Sequence, residues 1–426
     1  MFNQRNVKNQ SLFPCLENII LQYIIQRKVV DTMLNNKTKY NFPIGFYEDL
    51  HEDSSINFQM NRLYNWSDDT SMLYEMKEVS TYINSYDEYI DKFLKLGQKA
   101  IESKENLKAA YYFRGAEFYM LKDNPLKAIT RNKFISLIKE YYSVNEDCHH
   151  KVPYENGYLS SYHLSVENPV GTLVIFGGFD SYIEELFRMG LVFNDYGYNV
   201  ICFDGPGQGS TLEDYNIPLT YQWERPVKAI LDYFHLDDVT LIGLSLGGYL
   251  SLRAAAYEKR IKRVISDDIC ADFYRVLLSQ IDQPHREEFN TLMLNESSFE
   301  VNSIFENLMA KNLMLKWAIL QGMHITCSNT PYEFIKNMMS YKTTEISKLI
   351  TQDVLLMAAQ EDHYIPLCQF FEQSQTLTNV NSLTTRLFTR NEMAQNHCHI
   401  GNIQLSIDVI TNWIQQTTKL PYKQFI

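Results

Sequence analysis

Residues 239–250 read VTLIGLSLGGYL, which sets Ser245 between Gly243 and Gly247, directly after an apolar run and just ahead of a helically spaced stretch. A serine hydroxyl is a poor nucleophile until a neighbouring base takes its proton, and the base needs an acid to orient it. A sharp strand-to-helix turn would project the Ser245 hydroxyl outward. Side chains at 243 and 247 would collide in such a turn, so glycine at both is what the geometry asks for. An ordinary glycine-rich turn would carry the same residues without that flanking pattern.

The partners are sought further along the chain. Asp362 ends the apolar run DVLLMAAQED (353–362) and is the candidate acid; Asp267, Asp268 and Asp272 follow an earlier run, KRVISDDI, and compete for the role. The segment NEMAQNHCHIGN offers His397 and His399. His397 is read as the base, and His399 as a pocket residue or the start of the last helix. His363 adjoins Asp362 and precedes the last strand-like run, which suits a base poorly. Two backbone N–H groups must face the developing oxyanion. Leu246, after the nucleophile, is expected to supply one, and Gly178 or Phe179, in the glycine loop after GTLVIF, the other.

The histidine–cysteine clusters at 148–150 and 397–399 lack further ligands at metal-site spacing, so no metal is expected. DGPGQG (204–209) lacks the G-K-[ST] of a phosphate loop, which disfavours nucleotide binding. No cofactor is expected.

These residues need a scaffold. Six further runs, YLSSYHLSV, GTLVIFGG, YNVICFDG, KRVISDDI, DVLLMAAQED and TTRLFTR, read as strands beside VTLIGLSLGG, with helical stretches between them. That alternation predicts an α/β class with a mostly parallel, doubly wound sheet. Residues 1–150 are poor in glycine, rich in aromatics and spaced as helices, which predicts an all-helical N-terminal region before a catalytic domain at 151–426. Residues 271–345 interrupt the alternation with helical pattern, a predicted cap over the carboxyl ends of the strands, where such sheets bind ligands.

Composition bounds the partners. Lys and Arg total 39 against 51 Asp and Glu, a formal charge of −12, which argues against nucleic acid or an anionic membrane. Seven widely spaced cysteines form no CxxC pair. Together with the absence of a signal-peptide layout they suggest a reducing, cytoplasmic setting. A homodimer is the expected assembly.

Several motifs together, GGFDSYIEEL, FDGPGQG, WERPVKAILDYF, GLSLGG, AAQEDHYIP and AQNHCHIGN, resemble the α/β-hydrolase superfamily. More narrowly, the chain is similar to the branch that holds 2,6-dihydropseudooxynicotine hydrolase, the fungal Ayg1-type polyketide-shortening hydrolases and the FrsA-like proteins. The resemblance implies an α/β-hydrolase fold with a helical N-terminal segment, Ser245 as nucleophile, Asp362 as orienting acid and His397 as base. It also implies a glutamate that assists at the substrate, at Glu184 or Glu185; a solvated first helical turn is the plainer reading of that pair. The branch reads H-C-Q near the base where this chain has His397-Cys398-His399.

The expected function is a serine hydrolase acting on a small-molecule ester or related acyl bond through an acyl-enzyme. C–C cleavage of a β-diketone-like compound and acyl-peptide or amide hydrolysis are alternatives, and a non-catalytic binding protein on the same fold is the reading from another class.

Overall fold

A computed structural model describes residues 39–419. Its centre is an eight-stranded sheet in the order β1-β2-β4-β3-β5-β6-β7-β8. The strands are β1 (His149–Tyr154), β2 (Gly157–Leu164), β3 (Gly171–Phe176), β4 (Tyr198–Asp204), β5 (Val239–Leu244), β6 (Ile261–Asp267), β7 (Asp353–Ala359) and β8 (Ser382–Phe388). β1 and β2 pair antiparallel, and β2 runs antiparallel to β4. Every other neighbour pair is parallel.

The inner strands read as unbroken apolar runs because both faces are covered. Leu173 and Ile175 of β3 point into one core, and Val174 and Phe176 point into the other. Strand β1 lies outside the apolar, strand-like runs of the sequence. HHKVPY carries proline and lysine, a composition that only an edge strand tolerates.

The first face is covered by five helices that precede the sheet: α1 (Ser54–Ser67), α2 (Ser71–Ser80), α3 (Tyr86–Glu102), α4 (Asn106–Phe118) and α5 (Lys127–Tyr142). Asp53 starts α1 by accepting the Ser55 and Ile56 N–H groups at 2.9 and 3.0 Å. In α3, Tyr89, Phe93, Leu96 and Ala100 lie buried at helical spacing. These helices share a single apolar core with the sheet, α6 (Phe187–Asp195) and the terminal helix α16 (Ile403–Lys419). The change from helices to strands falls between Tyr142 and His149.

The second face is covered by α7 (Gly209–Tyr215), α8 (Glu224–Tyr233) and α9 (Gly247–Tyr257). Between β6 and β7 lies the predicted insertion: α10 (Phe273–Ser279), α11 (Gln283–Leu294), α12 (Ser298–Met309), α13 (Leu313–Thr326) and α14 (Pro331–Met338). Helix α15 (Cys368–Thr376) joins β7 to β8. No helix among the described residues is long and apolar enough to cross a membrane.

Candidate active site

Ser245 sits between β5 and α9 with φ at +61°, a left-handed conformation that is uncommon for a residue with a side chain. Its N–H donates to the Asp267 carbonyl at 2.7 Å, which ties the turn to the end of β6. A Cβ on Gly243 would run into the Gly247 carbonyl, so the glycines flanking the serine are required by close approach.

His397 reaches this turn from the loop after β8. Its Nε2 lies 2.9 Å from Ser245 Oγ, and its Nδ1 lies 2.6 Å from Asp362 Oδ2. Asp362 is held by two backbone donors, the N–H groups of Tyr364 and Ile365 at 2.8 and 3.0 Å on Oδ1. Burial opposes the charge on both groups. The attraction between them outweighs it, holding the Asp362 carboxyl below the usual carboxylate range and the His397 imidazolium well above the usual histidine range. Phe58 of α1 and Tyr364 pack around the imidazole, with ring centroids 6.4 and 5.1 Å from it. Among the rival acids, Asp272 caps α10 by accepting the Arg275 N–H. Asp267 and Asp268 lie against the other histidine of the loop.

The glycine loop faces the serine from the opposite side. A Cβ on Gly178 would sit 2.7 Å from the Leu246 nitrogen. The Gly178 N–H, offered by the sequence as an oxyanion donor, instead goes to Ser181 Oγ at 3.1 Å. The N–H groups of Leu246 and Phe179 meet no protein acceptor among the described residues. The carbonyls around them are fixed. Gln208 Nε2 donates to Gly177 and Gly178 oxygens at 2.8 and 2.9 Å, and Arg114 Nη2 donates to the Asp180 oxygen at 2.5 Å.

The acidic pair divides. Glu184 is absent from the cavity lining; its Oε1 accepts the Tyr162 hydroxyl, and burial pushes its carboxyl upward beside Asp204. Glu185 borders the cavity, yet both of its oxygens are engaged, one by Arg62 and the other by Arg114 at 2.7 Å. Beside the serine, Asp180 lines the cavity with no hydrogen bond to its carboxyl among the described residues, and burial raises its pKa against the pull of Arg62 and Arg114. The sequence signal for it was available: an acid two residues past the glycine pair, inside the loop that must approach the substrate.

His399 does not line the pocket. It is 0% exposed, and its Nε2 lies 2.7 Å from Asp267 Oδ1. Cys398 and His399 both adopt left-handed φ, +49° and +56°, a tight turn that sends the two imidazoles to different carboxylates. Candidate metal donors do converge here, Asp268 with His397 and Cys398, and Asp267 with Asp268 and His399. In the second set the donors face one another, His399 Nε2 lying 2.7 Å from Asp267 Oδ1 and 3.4 Å from Asp268 Oδ1 as an ion-paired cluster.

All of this opens on one cavity of about 820 Å³. Ser245, His397 and Asp180 stand at one wall; Phe58, Arg62 and Trp66 of α1 and a largely apolar set from the insertion, including Leu277, Phe305 and Leu315, complete it.

The comparisons agree with this architecture. Residues 172–387, just over half of the chain, match the family model described as the alpha/beta hydrolase fold. Hydrolase LUC6 of a Fusarium species is 30% identical over 236 residues, 51% of this chain and 56% of that protein. The 20-hydroxy-prefusarin hydrolase FUS2 of Gibberella moniliformis is 28% identical over 284 residues, 61% of this chain and 67% of that protein. The chain thus spans little more than half the length of the first of these relatives. Among solved structures, 2,6-dihydroxy-pseudo-oxynicotine hydrolase superposes with a TM-score of 0.55 at 17% identity, covering 78% of this chain and 88% of that one. AbyA5 superposes with 0.61 at 14% identity, covering 85% and 95%. Those two likenesses speak to the fold alone. With its sheet wound as the family's is and its matched segment running from β3 to β8, the chain belongs to the α/β-hydrolase fold family.

Proposed function

We propose that this protein is a serine hydrolase that cleaves an ester or related acyl bond of a small-molecule substrate. The observation that carries the reading is the unbroken line Ser245 Oγ–His397–Asp362, with steps of 2.9 and 2.6 Å. Ser245 Oγ attacks the carbonyl carbon while His397 Nε2 takes its proton. The tetrahedral oxyanion is held by the N–H groups of Leu246 and Phe179, each donor being worth about 10²–10³ in rate. The imidazolium then protonates the leaving group, and water, deprotonated by His397, releases the acid from Ser245. The cavity volume of about 820 Å³ favours an extended, mostly apolar acyl compound over a short-chain ester. The hydrolase names of the fungal relatives support the reaction class.

The test uses a fluorophosphonate probe. Wild-type protein should become labelled at Ser245, and Ser245→Ala should not. An unlabelled, folded wild type would favour a binding protein instead.

One observation supports a second reading, C–C cleavage of a β-dicarbonyl compound. Asp180 presents an unpaired carboxyl of raised pKa to the same wall as Ser245. After attack at one carbonyl, the breaking C–C bond leaves its electrons on the carbon next to the second carbonyl, and Asp180, whose carboxyl burial shifts toward its protonated form, stands by to deliver the proton to it. A β-diketone panel set beside p-nitrophenyl esters separates the two. Asp180→Asn should abolish diketone cleavage and spare ester turnover if the second reading holds.

A further inference from the structure

Two carboxylates face Nδ1 of His397. Asp362, after β7, makes the 2.6 Å contact. Asp268, after β6, approaches from the other side: its Oδ2 accepts the Cys398 N–H at 2.8 Å and lies 3.7 Å from the same Nδ1. Its other oxygen has no hydrogen-bond donor and stands 3.4 Å from His399 Nε2. His399 in turn lies 2.7 Å from Asp267 Oδ1, and its Nδ1 is 3.3 Å from the Ala394 carbonyl. Asp267, Asp268, His397 and His399 are buried, and Asp362 and Cys398 are partly so. Removing ions from water is costly, and apolar residues of like volume would pack this corner at least as well. An acid–imidazole–acid cluster against the back of the base is therefore more than packing requires.

We propose that Asp268 is a positioning residue, a second orienting carboxylate for His397, which fixes the base-bearing loop through the Cys398 amide and stabilises the imidazolium formed when His397 takes the Ser245 proton, with His399 as its counter-ion. The proposal rests on the serine-hydrolase reading of the same site. The groups around it are known from every side. Asp267 comes from β6, Asp362, His363 and Tyr364 from the loop after β7, and Cys398 and His399 from the base loop. Asp180 of the glycine loop and Cys270 also act on His397. Burial raises the Asp268 carboxyl to about 7, with His399 pulling down and Asp362 and Asp267 pushing up. Asp268 is thus neutral below that pH. Its anion strengthens the hold of His397 on its proton above it.

The experiment follows His397 in the full chain by ¹⁵N-histidine NMR titration and, in parallel, the pH dependence of fluorophosphonate labelling. Asp268→Asn keeps an acceptor for the Cys398 N–H and removes the charge. It should lower the His397 pKa by about 1 unit and move the acid limb of labelling down by the same amount. Asp362→Asn should remain within about 100-fold of wild type, since Asp268 can take over the Nδ1 proton after a small shift. The double variant should fall to about 10⁴-fold below wild type, the usual cost of a mis-oriented imidazole. An unmoved His397 titration in Asp268→Asn, or Asp362→Asn as slow as the double variant, would overturn the proposal. If Asp268→Asn does not fold, the comparison of Asp362→Asn with the 10⁴-fold loss decides alone. If the wild type is not labelled at all, the hydrolase reading fails, and the NMR titration still judges Asp268.

Discussion

The cavity is enclosed by two helical layers of opposite character. The N-terminal layer is bound to the glycine loop by buried charge. Arg114 pairs with Glu185 and Glu117 at 2.7 and 2.6 Å and donates to the Asp180 carbonyl; Glu117 also takes Lys127 and, at 2.7 Å, the Tyr182 hydroxyl. Among the described residues the insertion has one comparable tie, His324 of α13 to Glu213 of α7 at 2.9 Å, and it does not reach the glycine loop. Its other ion pairs, Arg275–Glu372 and Lys336–Glu296, lie at the surface, and it leaves Phe299 80% and Leu294 64% exposed. The layers meet where Trp317 of α13 stacks on Phe118 of α4 at 4.5 Å and its indole donates to the Phe118 carbonyl at 2.9 Å. The difference assigns them different work. The first layer holds the glycine loop in place, and the second shapes the cavity beside it.

The largest break in that contrast is Arg114→Ala, which takes one of two cationic partners from each of the buried Glu185 and Glu117. It should cost about 3 kcal/mol in denaturant unfolding and slow turnover as well, because the glycine loop is released. Acid should discriminate next. Burial opposes the charge on Glu117, yet Lys127 and Arg114 hold its pKa below the usual value of 4.5. A depressed carboxylate gives stability that is present above the unfolded pKa and lost as pH falls through the folded one. Hydrogen exchange should therefore rise in α4 and α5 below about pH 4.5 before it rises in α11–α13. Trp317→Phe removes the one indole bond between the layers and should cost about 0.5–1.5 kcal/mol, with faster proteolysis confined to the insertion. Phe299→Ser, on the exposed face, should stay within about 0.5 kcal/mol of wild type in thermal unfolding. Equal sensitivity of the two layers to acid would break the contrast.

The sequence carried the sheet and the three central side chains because each is announced locally. Ser245 lies in a turn that only glycines permit, and Asp362 and His397 follow apolar runs. What escaped was decided by tertiary neighbours. Glu184 and Glu185 are adjacent in sequence, and only the fold shows that one meets Tyr162 while the other meets two arginines. His399 reads like a pocket residue until two successive left-handed residues turn it into the core. Asp268 had been weighed as a rival to Asp362, and its 3.7 Å approach to the same nitrogen is a matter of where β6 and β7 end side by side.

Gln208 has a consequence for chemical ageing. Its two amide hydrogens serve neighbouring carbonyls at 177 and 178, while its oxygen accepts the Gly205 N–H at 3.0 Å. Deamidation would exchange that nitrogen for a second oxygen and set lone pairs against two carbonyls in a buried position. A change of one mass unit, far from Ser245 in sequence, would loosen the glycine loop that faces it while leaving the chain intact.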